Sequence, residues 1–193
     1  MKKITLLLCS ALLPVAAIAA ENRIPNGSFE KGSENWSYEE WKGLPLPGRI
    51  EKGTAPDGQS YFVMTEPGTM TMRFIRTAHV PVERGRNYLL HFSLAGEGIR
   101  KGSITVKILQ YGPTADRKTP VLGWIEPKRK GYSDLLPEPL EGTFPWKKFE
   151  VEIPGSAIHP EAVSVAVYFH HNTPSFGELS IDAVELVEEK REN

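Results

Sequence analysis

Cysteine is the scarcest residue in this chain of 193, which has a single one, Cys9. It lies inside "MKKITLLLCSALLPVAAIAA", where two lysines precede a short apolar run that closes on small residues. That layout predicts a secretory leader over residues 1–20, cut after Ala19 or Ala20, and a product that is secreted or periplasmic. Lys-Lys with a short leader also suits a bacterial source. Leu8 stands before Cys9 where a lipid-bearing cysteine requires a small residue, which argues against a lipid anchor. Once the leader is removed, residues 21–193 hold no cysteine, which excludes a disulfide and a thiol nucleophile. Long hydrophobic runs are equally absent. Pro14 interrupts the leader, which falls short of the roughly 20 apolar residues a spanning helix needs, so no membrane contact is expected after cleavage. Excess charge of one sign is missing too. The chain carries a net charge of −1. Loss of Lys2 and Lys3 with the leader leaves about −3, so nothing in the balance attracts nucleic acid or anionic lipid.

Residues 21–193 also lack a helical stripe, an internal repeat and a low-complexity tract. What they have instead is alternation with period two. In "NYLLHFSLA", Tyr88, Leu90, Phe92 and Leu94 share one parity. In "SITVKILQY", Ile104, Val106 and Ile108 do, and in "WKKFEVEIP", Phe149, Val151 and Ile153. In "AVSVAVYFHH", Val163, Val165, Val167 and Phe169 alternate with Ser164, Ala166, Tyr168 and His170. Further strands are expected at "SYFVMTE", "TMTMRFIRT" and "ELSIDAVELV", all rich in β-branched and aromatic residues and punctuated by Gly or Pro. The pattern predicts one all-β domain over 21–193, a β-sandwich or jelly roll of about nine to eleven antiparallel strands. A stretch from Gly112 to Pro145 breaks the rhythm. It reads as a long loop with one strand at "PVLGWI", and loops of that length are often functional.

No residue set announces an enzyme. There is no Gly-x-Ser-x-Gly elbow and no phosphate-cradling glycine loop. The carboxylates Glu39, Glu40, Glu138 and Glu141 read as solvated charges. His170 and His171 are neighbours in a strand and point to opposite faces, so they cannot chelate one zinc ion together.

The ends of the domain carry a pattern of their own. "NGSFEKGSENW" (26–36) opens it and "GELSIDAVELVE" closes it. Between them come "APDGQSYFVM", "VERGRNYLLHFSLAG" and "FPWKKFEVEIP", in that order. Over about residues 24–188 the chain resembles the carbohydrate-binding modules of secreted bacterial xylanases and endoglucanases, within the galactose-binding-domain-like jelly rolls. The resemblance implies a structural calcium where the first and last strands approach, with Glu30 and Asp182 as ligands. Ser28 or Lys31 would add a main-chain oxygen, and Asp57 is a weaker candidate. Calcium takes several carboxylate and carbonyl oxygens, which suits these residues. Parity groups Asp182 with Val184 and Leu186 and so points it inward. The same two carboxylates would equally serve to hold loop amides. In addition, Ala183 stands where the family often carries a second Asp.

The resemblance also implies a non-catalytic poly- or oligosaccharide binder, in which flat aromatic faces meet the apolar side of a sugar ring. Trp41, Trp124 and Tyr132 are the first candidates. Tyr111, His91, Tyr168 and His170 are a second set on the non-core parity, with Lys107 and Gln110 nearby. Trp36 and Trp146 match positions that pack inside. The same fold without sugar would be a structural or protein-interaction module with a protein partner. A jelly-roll lyase or hydrolase would need a carboxylate or a His–Tyr pair converging in a cleft.

Overall fold

The structure, a computed structural model, describes residues 21–37, 47–65, 73–114, 120–126, 133–172 and 177–189. The leader, Trp41 and Tyr132 lie outside the described residues. The strands are β1 (Trp36–Ser37), β2 (Gly48–Lys52), β3 (Ser60–Met64), β4 (Arg73–Thr77), β5 (Val80–Pro81), β6 (Tyr88–Ile99), β7 (Ile104–Tyr111), β8 (Val121–Trp124), β9 (Gly142–Ile153), β10 (Ser164–His171) and β11 (Glu178–Glu188). A short 3-10 turn, Gly155–Ala157, is the one helical element among the described residues. Each stretch of expected alternation became a strand. β1 begins at the end of the opening stretch 26–36, while β2 and β5 fall outside every stretch of expected strand.

Two antiparallel sheets result. The first has the order β1-β4-β10-β7-β8, with β5 also paired to β10; the second has the order β2-β3-β11-β6-β9. Their facing sides make the core. Tyr88, Leu90, Phe92 and Leu94 from β6 meet Val165, Val167 and Phe169 from β10, all essentially inaccessible to solvent. Phe92 and Phe169 meet edge to face across the two sheets, with centroids 5.6 Å apart. The all-β sandwich is therefore as expected.

The opening stretch 26–36 is a knot of turns and contributes directly to the core. Asn26 has φ +55°. Its side-chain amide donates to the carbonyls of Gly32 and Glu34, and its Oδ1 accepts the Lys31 N–H. This places Phe29 inside, stacked on Trp36 at 4.5 Å and on Phe62 at 5.8 Å. The Trp36 indole N–H donates to the Asn26 carbonyl at 2.9 Å. Trp36 thus packs inside as expected.

Trp146 does not. It is half-buried on the outer side of the second sheet, donates its indole N–H to Thr54 O at 3.1 Å and meets Tyr61 edge-on at 5.5 Å. Its own strand explains the departure. Phe149, Val151 and Ile153 take the inward parity, which leaves Trp146 with the outward-facing Lys148 and Glu150.

Part of the stretch expected to be a long loop is regular. Past β8 the Ile125 N–H donates to Ile108 O, and at Leu135 the chain returns to β7 by donating to Val106 O, both at 2.8 Å. Asp134 Oδ1 secures that return by accepting the N–H groups of Val106 and Leu136. β9 then begins at Gly142.

Candidate functional site

Strand residues facing away from the core normally meet water, and polar side chains would be expected there. On the first sheet they do not predominate. Phe74 (β4), Leu109 and Tyr111 (β7), and Ala166 and Tyr168 (β10) form a second buried cluster on the outer side, against which the half-buried Trp124 (β8) packs. Register brings them together: Tyr168 lies opposite Lys107 and Arg76, His170 opposite Phe74, and Trp124 opposite Leu109. The Trp124 ring stands edge-on to Tyr168 at 5.3 Å and to His170 at 5.9 Å. Tyr168 and His170 stack at 5.7 Å, with Phe74 at 5.3 and 5.4 Å from them.

Polar groups in this cluster divide into paired and unpaired. The hydroxyls of Tyr111 and Tyr168 share a hydrogen bond of 2.7 Å, and the other side of Tyr111 carries His79 at 4.1 Å. His170 is 5 % exposed, yet neither ring nitrogen has a hydrogen-bond partner among the described residues. Burial, with the Lys107 charge adding to it, lowers its pKa to about 4, so the ring is neutral near pH 7. Lys107 Nζ sits over the Trp124 ring at 5.4 Å. Trp124 and Lys107 are the half-buried members of this group, and hence its accessible side.

Tyr111, Tyr168 and His170 are thus brought together as the alternation implied, and Trp124, expected in the long loop, joins them from β8. His91 is not with them. It belongs to β6 of the second sheet, opposite Glu185 and Glu150, with Nδ1 3.5 Å from Glu150 Oε2. Parity tells which residues share a face within one strand, but not to which sheet that strand belongs. Gln110 is absent from the face for a simpler reason. It has the core-side parity, and its Oε1 accepts the His159 N–H at 2.7 Å. Phe74 was missed, although its position in "RFIRT", out of phase with Ile75, was the available signal.

The second candidate place lies where the opening turns meet β11. The parity expectation for Asp182 fails there. A register break falls between Asp182 and Glu185, and Ala183 is held at φ +51°. The extra residue of this bulge flips the alternation. Asp182 pairs with Ser93, on the side away from Phe92 and Leu94, while Val184 and Leu186 face the core. It is nevertheless fully buried, because the loop of Asp57 closes over it. Oδ2 accepts the Asp57 N–H at 2.8 Å, and Oδ1 has no partner among the described residues. Burial above all, with the charges of Asp57 and Glu30 adding to it, raises its pKa to about 6.

Glu30 Oε1 accepts the N–H groups of Gln59 and Ser60, both at 2.6 Å. These bonds, Gln59 first, hold its pKa below the usual carboxylate value. Ser28 lies half-buried in the same turn. Both carboxylates therefore do hold loop amides, and the charges of Asp57 and Glu30 both bear on Asp182. Among the described residues no three of His, Cys, Asp and Glu are gathered tightly enough to hold a metal alone, so an ion here would also need backbone oxygens.

No family model and no curated protein matches the chain. Solved structures do match, and most of those compared are carbohydrate-binding modules of the galactose-binding-like jelly-roll fold. A family 16 carbohydrate-binding module has a TM-score of 0.56 and 16% identity, covering 86% of this chain and 100% of its own. The xylan-binding domain of a Paenibacillus barcinonensis protein has a TM-score of 0.54 and 12% identity over 85% of this chain and 92% of its own. A Stig cyclase, Fisc, from Fischerella sp. TAU has a TM-score of 0.57 and 15% identity over 89% of this chain and 98% of its own. Identities this low establish the shared fold, and the fold hosts both binding and cyclase activities.

Proposed function

We propose that this chain is a secreted, non-catalytic carbohydrate-binding protein whose site is the outer face of the first sheet. One observation carries the reading. A strand face that would ordinarily be polar instead carries Phe74, Tyr168 and His170 beneath a half-exposed Trp124. The indole supplies a flat apolar surface for a sugar ring. Lys107, the other accessible member of the group, offers donors to sugar hydroxyls, while His170 backs the aromatic floor. Trp41 and Tyr132 remain candidates for stacking on sugar. A fold recurrent among carbohydrate-binding modules supports the reading.

The test is titration of the leader-free protein with a panel of soluble polysaccharides. Binding of at least one is expected, and Trp124→Ala should weaken it about tenfold or more. No binding across the panel would move the reading to a protein-interaction module on the same scaffold.

The reading includes a structural calcium where the charges of Glu30 and Asp57 bear on Asp182. The residues fit such an ion. Asp182 presents an unsatisfied buried oxygen, and a buried unpaired carboxylate is costly. Calcium would be held by Glu30 and Asp182 with main-chain oxygens of the 26–31 turns, Ser28 among them. Bound there, it would neutralise the cluster and tie the opening turns to β11. Added calcium is expected to raise the melting temperature, EDTA to lower it, and Glu30→Ala to abolish the difference. An unchanged melting temperature for the unaltered protein would leave the two carboxylates as amide-holding groups only.

A further inference from the structure

The two sheets do not share charge evenly. The strands of the first sheet carry no Asp or Glu, and their charged residues are Arg73, Arg76 and Lys107. Every carboxylate that lies in a strand belongs to the second sheet: Glu51, Glu97, Glu150, Glu152 and those of β11. Onward from Trp124, the first acid is the exposed Glu126, beyond the strand end. Arg49, Lys52, Lys147 and Lys148 also belong to the second sheet, so it is the exclusion of acids that leaves the strands bearing the aromatic face with a net positive charge and the others with a net negative one.

Within that face Lys107 is the accessible cation. It leans over the Trp124 ring, and no described carboxylate pairs with it. A hydrogen bond between charged groups outweighs a cation–π contact at an accessible site. An incoming carboxylate beside Trp124 would therefore win the ammonium from the ring. A neutral sugar carries no charge to offer the ammonium in exchange.

We infer that the glycan recognised by this face is acidic, a uronate-bearing oligosaccharide whose carboxylate pairs with Lys107 while the sugar ring lies against Trp124. This rests on the carbohydrate-binding reading and narrows it. The basic sheet also draws such a polyanion toward this side of the molecule and away from the acidic one, an effect that salt weakens.

The test uses matched pairs of soluble oligosaccharides of equal length: oligogalacturonate against galacto-oligosaccharide, mannuronate-rich alginate oligomers against manno-oligosaccharide, and glucuronoxylan oligomers against xylo-oligosaccharide. Isothermal titration of the leader-free protein is run at low and at physiological salt. The expected result is that one acidic member binds at least tenfold tighter than its neutral counterpart and loses several-fold in affinity as salt rises. Lys107→Met should bring the acidic-to-neutral ratio close to one, and Lys107→Arg should retain most of it, with circular dichroism confirming that both variants fold. Equal or tighter binding of the neutral members overturns the acidic inference and leaves sugar binding standing. A preference for the acidic member that survives Lys107→Met also overturns the role given to Lys107. Silence across all pairs overturns both readings.

Discussion

His170 combines burial, neutrality and two unpartnered nitrogens. Its pKa in the folded protein, about 4, lies below the ordinary 6.5. The unfolded chain therefore binds a proton that the folded chain refuses between these values. Stability tied to this residue is complete above pH 6.5 and declines as pH falls toward 4, by up to roughly 3 kcal/mol. The melting temperature is expected to fall across that window, and His170→Phe, which keeps a ring against Tyr168 and Phe74, should flatten the fall. A difference curve between the two proteins isolates this residue from Glu30, whose depressed pKa also favours the folded state as pH rises, and from Asp182, whose raised pKa acts the other way. Much of this was readable from "AVYFHH", where alternation separates Tyr168 and His170 from Val167 and Phe169. That the outward histidine would be buried was not readable, since parity assigns a face and not what lies over it.

Among the elements, the closing strand shows how local and distant constraints meet. "ELSIDAVELV" announced β11 by composition, yet the bulge at Ala183 is invisible in alternation, because Ala adopts φ +51° only under tertiary constraint. The opening segment supplies part of it. Val184 N–H donates to Gly27 O at 3.1 Å, and Arg23 N–H to Leu186 O at 2.8 Å. Gly27 sits so close that a Cβ there would lie 1.8 Å from Val184 O. Gly27→Ala must push the two backbones apart and should cost about 2 kcal/mol or more in urea unfolding. Gly32 is the control. Its φ is +64° but a Cβ meets nothing within 4 Å, so Gly32→Ala should cost about 1 kcal/mol from backbone strain alone. Equal losses at the two positions would mean that the close approach of Gly27 to β11 contributes nothing of its own. His91 and Trp146 belong to the same lesson. Strand alternation sorted the face of each correctly, and the errors arose in assigning a sheet and in following a family position against the local pattern.

At the scale of the molecule, the sandwich was legible because four stretches repeat the same period and three more share strand composition, while the arrangement of strands within the sheets was not, since pairing depends on contacts distant in sequence. One such contact has a topological consequence. Arg23 reaches Leu186 O with its N–H and Glu188 with its guanidinium, while Asn22 Oδ1 accepts the Leu186 N–H at 3.1 Å. Residues 22 and 186, at opposite ends of the domain, are therefore neighbours. The fold is in effect a closed loop of chain with a nick beside β11. A circular permutant that joins residues 21 and 189 through a short linker and opens at the exposed Lys101–Gly102 turn should keep the sandwich, with a β-sheet circular dichroism spectrum and a cooperative melt.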